Sequence, residues 1–115
     1  MYDLQDKEEF IFIKGSGIID KGEAQAICRK ITELLEIRED SNKVLLDLKK
    51  IDLKESQFDI FIQHLSKMNI DKLAIVLSGL INKFKFRLWS RRYKGYLKIE
   101  QFITTEQAKR WLNKE

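Results

Sequence analysis

The sequence predicts an α/β domain: a single four-stranded, mostly parallel sheet in βα repeats, with an extra antiparallel strand offered by the N-terminus. Three observations carry this. Two short runs, Val44–Leu48 and Leu73–Leu77, are almost wholly apolar, as strands covered on both faces are. Stretches with apolar residues at helical spacing alternate with these runs. Helix-start signals, an Asp or Thr three residues ahead of a Glu or Gln, stand at the joints between them. Strands separated by helices join a parallel sheet through right-handed crossovers.

Each element follows from its residues. Glu9–Lys14 reads as a strand in which Phe10, Ile11, Phe12 and Ile13 are all apolar, so both faces are covered. Tyr2–Leu4 is expected to pair with it as a hairpin across Asp6 and Lys7. Gly15-Ser16-Gly17 is expected to break the strand in a tight turn, since it lacks the residues of a phosphate-binding loop. Asp20 offers an N-cap with Glu23 three residues on. Ala24, Ile27, Cys28, Ile31, Leu34 and Leu35 then mark the apolar face of a helix ending near Asp40-Ser41-Asn42.

Lys43 to Phe58 is the organising stretch. It reads as the central strand, a short turn, and a helix start capped by Asp52 and Glu55. Phe58, Phe61, Ile62, Leu65 and Met68 form the core stripe of the second helix. After Leu73–Leu77 a third helix is expected from about Leu80 to Tyr93, stopped near Gly95. Leu97–Ile103 alternates, as a strand near a sheet edge does. Thr104 and Gln107 then open a last helix that buries Ala108, Trp111 and Leu112.

Length and composition bound the function. A chain of 115 residues is read as one domain spanning 1–115. Its 43% hydrophobic and 35% charged residues are globular values. No apolar run approaches the ~20 residues that span a bilayer, and the acidic start lacks a signal-peptide layout. Cys28 is the only cysteine, which excludes an internal disulfide and fits a reducing cytoplasm. It sits on an apolar helix face and is read as a structural thiol. His64, the only histidine, lies beside a core stripe and is read as a boundary residue. No cysteine pair, histidine pair or serine triad pattern appears, so neither a metal, a cofactor nor an enzyme activity is expected. Asp47, inside the central strand, requires a hydrogen bond or ion pair, because an unpaired buried charge is costly.

Three stretches carry a resemblance to a known family: VLLDLKKID at 44–52, LAIVLSGLINKFKFRLW at 73–89 and FITTEQAKRWL at 102–112. Over about two-thirds of its length the chain resembles the STAS family, the fold of the bacterial anti-sigma-factor antagonists, including small STAS-like or CRAL-TRIO-like domains. The resemblance implies a βα sheet without catalysis and a protein-binding surface near the start of the second helix. In the antagonists a serine directly after an acidic residue is phosphorylated there, which abolishes binding. The acidic residue corresponds to Asp52; the next position is Leu53, and Ser56 lies a turn deeper. Asp52 and Ser56 are thus candidate partner-binding residues, without the family's switch serine. Relatives of the fold also enclose apolar ligands, so a small apolar ligand or lipid-binding role is the alternative.

Charge placement is the one unusual feature. Between Lys72 and Ile99 there are eight positive residues and no acid. The whole chain is +4, so everything outside that span is −4. At ~100° per residue, Leu80, Ile81, Phe84 and Leu88 share one arc of the third helix, and Phe86, Trp89, Tyr93 and Tyr96 another. Lys83, Arg87, Arg91 and Lys94 share a third. One sheet face does not cover both apolar arcs, and the aromatic arc is expected to stay partly exposed beside the basic stripe. Arg87, Trp89, Arg91, Arg92, Tyr93 and Lys94 are therefore candidate docking residues for an acidic protein, a second copy, or an anionic membrane. A solvated basic face is the plain alternative. Nucleic acid is disfavoured, since no nucleic-acid-binding motif accompanies the charge.

Overall fold

The computed structural model describes residues 2–7, 9–17, 20–37, 42–51, 59–60, 63–64, 70–77, 84, 86–88 and 98–114. Within them run β1 (Tyr2–Asp6), β2 (Ile11–Gly17), α1 (Lys21–Ile37), β3 (Lys43–Ile51), β4 (Lys72–Val76), β5 (Ile99–Phe102) and α2 (Thr105–Asn113). Residues 59–60, 63–64, 84 and 86–88 are also helical. The strands form one five-stranded sheet in the order β1-β2-β3-β4-β5. β1 is antiparallel to β2, and the other pairs are parallel. The expected mostly parallel sheet is present, and so is its N-terminal hairpin, closed by Lys7 N–H donating to the Phe10 carbonyl at 3.0 Å.

Consecutive parallel strands joined by crossovers of one hand place every connection on the same face of the sheet. The core has that arrangement. On one face Ile27, Cys28 and Ile31 of α1 pack on Ile11, Ile13, Val44, Leu46, Leu48, Leu73 and Ile75. Ile60 and Phe86, from the two later connections, join this same cluster. α2 follows the last strand and is not a crossover. It folds back over the other face, where Ala108 and Leu112 cover Phe10, Leu45, Ala74 and Val76. The alternation that puts Phe10 and Phe12 on one face and Ile11 and Ile13 on the other is as the sequence predicts.

Helix ends are held by the expected side chains. The Glu23 N–H donates to Asp20 Oδ1 at 2.8 Å, and the Gln107 N–H to Thr104 Oγ1 at 3.2 Å. An unforeseen cap closes α2. Lys72 Nζ donates to the carbonyls of Trp111, at 3.0 Å, and Lys114. A cation there also complements the negative end of the helix dipole.

Some expectations are corrected. Gly15-Ser16-Gly17 does not break the strand but continues it, pairing as far as Gly17 with Ile51. The register moves from Lys14↔Asp47 to Ser16↔Lys50, so Gly15 alone opposes Leu48 and Lys49. This is a bulge in β3, and β2 leaves it at Gly17 with φ of 75°, a conformation that favours glycine. α1 is described as far as Ile37, and residues 38–41, where its end is predicted, lie outside the described residues. Trp111 is only half-buried, packed on its cluster's rim against Phe102 at 5.6 Å between ring centroids. Ile103 lies past the end of β5 and is exposed. His64 is exposed, not a boundary residue. The predicted stripe of Phe58, Phe61, Ile62, Leu65 and Met68 lies outside the described residues.

Candidate functional site

The helical residues Phe84, Phe86, Arg87 and Leu88 lie in the acid-free basic segment. At ~100° per residue, Phe84 and Leu88 fall about 40° apart, Arg87 about 60° to their side, and Phe86 nearly opposite. Burial follows that geometry. Phe86 is 6% exposed in the α1-side core, whereas Phe84 is 69% and Leu88 52% exposed. Arg87 is exposed beside them. The expected assignment of the arcs is reversed here: Phe86, of the aromatic arc, is the anchor, and the Phe84–Leu88 arc faces out. Both arcs are apolar, so periodicity does not rank them. The choice is made by tertiary packing into the core on the α1 face of the sheet.

Of the eight predicted partner-binding residues, Arg87 is described. Asp52, Ser56, Trp89, Arg91, Arg92, Tyr93 and Lys94 lie outside the described residues. Phe84 and Leu88 are additional surface residues, on the arc opposite the one expected to be exposed.

The end of β3 that leads toward Asp52 is built around Asp47. Its carboxylate is 4% exposed, on the α2 face of the sheet. At the β3 bulge, Asp47 Oδ1 accepts the Lys49 N–H at 3.2 Å. Lys49 Nζ stands 3.8 Å from Asp47 Oδ2 and donates to Thr105 Oγ1 at 3.2 Å, tying the bulge to the first residue of α2. The expected partner of Asp47 is thus the backbone of its own bulge, with an ammonium beyond hydrogen-bond length. This explains a buried acid as a structural device.

Other reactive groups are occupied similarly. Cys28 is 1% exposed, and burial pushes its thiol pKa up to about 12, which suppresses the thiolate. A surface groove of about 300 Å³ between the β1–β2 turn and α2 is lined by Lys7, Glu9, Phe10, Lys109 and Asn113. Among the described residues no group of three or more His, Cys, Asp or Glu side chains could hold a metal ion. No described helix is long and apolar enough to cross a membrane.

This arrangement matches solved structures. A crystal structure of an anti-sigma factor antagonist from Mycobacterium paratuberculosis superposes with a TM-score of 0.74, at 18% identity, covering 99% of this chain and 94% of that one. The fold is that of the anti-sigma factor antagonists. SpoIIAA in its unphosphorylated form matches with a TM-score of 0.68 at 12% identity, covering 97% of this chain and 96% of that one. An uncharacterized Shewanella loihica protein with a SpoIIAA-like fold also gives 0.68, at 14% identity, over 97% and 92% of the two chains. No protein-family model and no curated protein matches in sequence. The antagonist fold therefore recurs across almost the whole chain, at 12–18% sequence identity.

Proposed function

We propose that this chain is a non-catalytic regulatory module of a bacterial cytoplasm that works by docking an acidic protein partner. The observation that carries the reading is the outward arc of Phe84 and Leu88, with Arg87 beside it, in a segment without acidic residues. Two apolar anchors flanked by arginine suit the centre of a protein interface, where burial supplies affinity and charge sets encounter rate. The names of two fold neighbours, anti-sigma factor antagonists, support a regulatory role. Trp89, Arg91, Arg92, Tyr93 and Lys94 extend the surface in this proposal, and Asp52 and Ser56 form a second contact. A single-sign field steers anionic partners and weakens with salt.

The test compares wild type with Arg87→Glu/Arg91→Glu. A partner recovered from the source organism is purified and titrated with both proteins at low and physiological salt, and both are also titrated with anionic vesicles. The expected result is nearly unchanged melting and slower association of the variant with the partner, with the difference shrinking as salt rises. Equal partner binding by both proteins at both salts, or loss confined to vesicles or to self-association, overturns the proposal.

A further inference from the structure

Three neighbouring strands place a lysine at the same level. Lys43 of β3 pairs in register with Lys72 of β4. Leu73 pairs with Ile99, so Lys98, just before β5, stands level with Lys72. The Lys98 carbonyl accepts the Leu73 N–H at 2.9 Å, which holds that level. By strand alternation the three lysines share a face with Leu45, Ala74 and Phe102, the face covered by α2. Lys114, the C-cap of α2, arrives at the same end of the sheet, since Lys72 reaches its carbonyl.

Like charges directly opposite one another in a sheet are destabilising. The fold accounts for one member of the row. Lys72 caps α2 and lies 5.2 Å from the centre of the Trp111 ring. Its pKa is held below the usual lysine value by desolvation and by the charges of Lys98, Lys43 and Lys114, so the four ammonium groups share one field. Among the described residues, two acids stand nearby. Asp71 Oδ2 accepts the Asn42 N–H at 3.3 Å and links the starts of β3 and β4. Glu100 lies two residues further along β5, one step above the row. Neither removes the excess of positive charge.

We propose that this lysine row binds an extended acidic segment of a partner protein, laid across the N-terminal ends of β3, β4 and β5. Strands lie ~4.8 Å apart, so the row spans about 10 Å, and alternate residues of an extended chain recur every ~6.8 Å. Carboxylates at alternate positions meet such a line through flexible lysine arms. A compact phosphate calls for donors converging on a point, and here they form a line. Among the described residues, the large exposed apolar side chains are Ile37, Phe84, Leu88 and Ile103. Ile37 belongs to α1 on the opposite face, and Ile103 follows the far end of β5, so among the described residues the row lacks the apolar wedge that membrane insertion uses. The row lies on the α2 face of the sheet, whereas Phe86 anchors the Phe84–Leu88 segment in the core of the other face, and the row's test is independent of that reading.

The experiment titrates the intact chain with a fluorescein-labelled peptide of alternating glutamate and serine, read by anisotropy at low and physiological salt. Lys43→Gln/Lys98→Gln should weaken binding about tenfold, as the loss of two exposed charge contacts implies. It should also flatten the salt dependence. Each single variant should fall between. Melting should stay level or rise, because neutral glutamines relieve the like-charge row. Lys30→Gln, at an exposed position of α1, should bind as wild type does. Equal peptide binding by wild type and double variant, or no wild-type binding at low salt, overturns the proposal. So does pyrophosphate binding as tightly as the peptide, which would mark a phosphate site, or a Lys43/Lys98-dependent loss seen only with anionic vesicles.

Discussion

Trp111→Ala is the substitution that probes how the last helix holds the sheet. Trp111 sits at the rim of the α2-side core, half-buried, with its ring 5.6 Å from that of Phe102 and beneath the Lys72 ammonium. A buried tryptophan removes ~200 Å² from water, and half of that at ~25 cal/mol per Å² is about 2.5 kcal/mol. Alanine retains about 0.5 kcal/mol of this. The tilted aromatic pair contributes about 0.5–1 kcal/mol more. The expected loss is therefore about 3 kcal/mol, below the upper range for a fully buried ring. For a domain of this size that lowers the melting temperature by about 12 °C. Urea unfolding followed by far-ultraviolet circular dichroism measures it without relying on the deleted fluorophore. Trp111→Phe, which keeps a ring over Phe102, should lose about half as much. A Trp111→Ala midpoint within about 0.5 kcal/mol of wild type would refute the docking of α2 on this face.

Two further outcomes follow from the core and the bulge. Cys28 should resist thiol reagents in the folded chain at mildly alkaline pH and react fully in denaturant, as timed thiol labelling would record. Its raised pKa means that the unfolded chain gives up the thiol proton first, so this group's contribution to stability declines as pH rises above the ordinary thiol range toward about 12; measured stability of Cys28→Ala should lack that decline. Gly17→Ala should cost about 1 kcal/mol in urea unfolding, because φ is 75°. Space is not the reason, since a Cβ there meets nothing within 4 Å.

The fold was readable where one physical signal dominated. Val44–Leu48 and Leu73–Val76 are apolar on both faces, which only a covered sheet explains, and they are central strands. Asp20 and Thr104 announced helix starts because a side-chain acceptor three residues ahead of an N–H is a local arrangement. The β3 bulge was not readable in this way. It depends on the register between β2 and β3, residues more than thirty positions apart, and the glycine run that fits it looks the same as a turn. The sequence shows that Asp47 needs a partner, but the partner, the Lys49 amide within the bulge, is set by the fold. Phe84 and Phe86 show the same limit in a helix. Both sit on apolar arcs, and tertiary packing on the α1 face of the sheet decides which is buried. The lysine row likewise exists only through strand pairing, because Lys43, Lys72 and Lys98 are far apart in the chain.

The central claim is that the Phe84–Leu88 arc is the docking surface, and Phe84→Ser/Leu88→Ser tests it most directly. The exposed parts of the two side chains offer roughly 200 Å² of apolar area, about 5 kcal/mol of gross burial. The measurement is calorimetric titration of wild type and double variant with the purified partner. Because both residues are exposed, the account predicts a melting temperature within a few degrees of wild type and an affinity at least ~100-fold weaker. A variant that melts like wild type and binds the partner with undiminished affinity would contradict it.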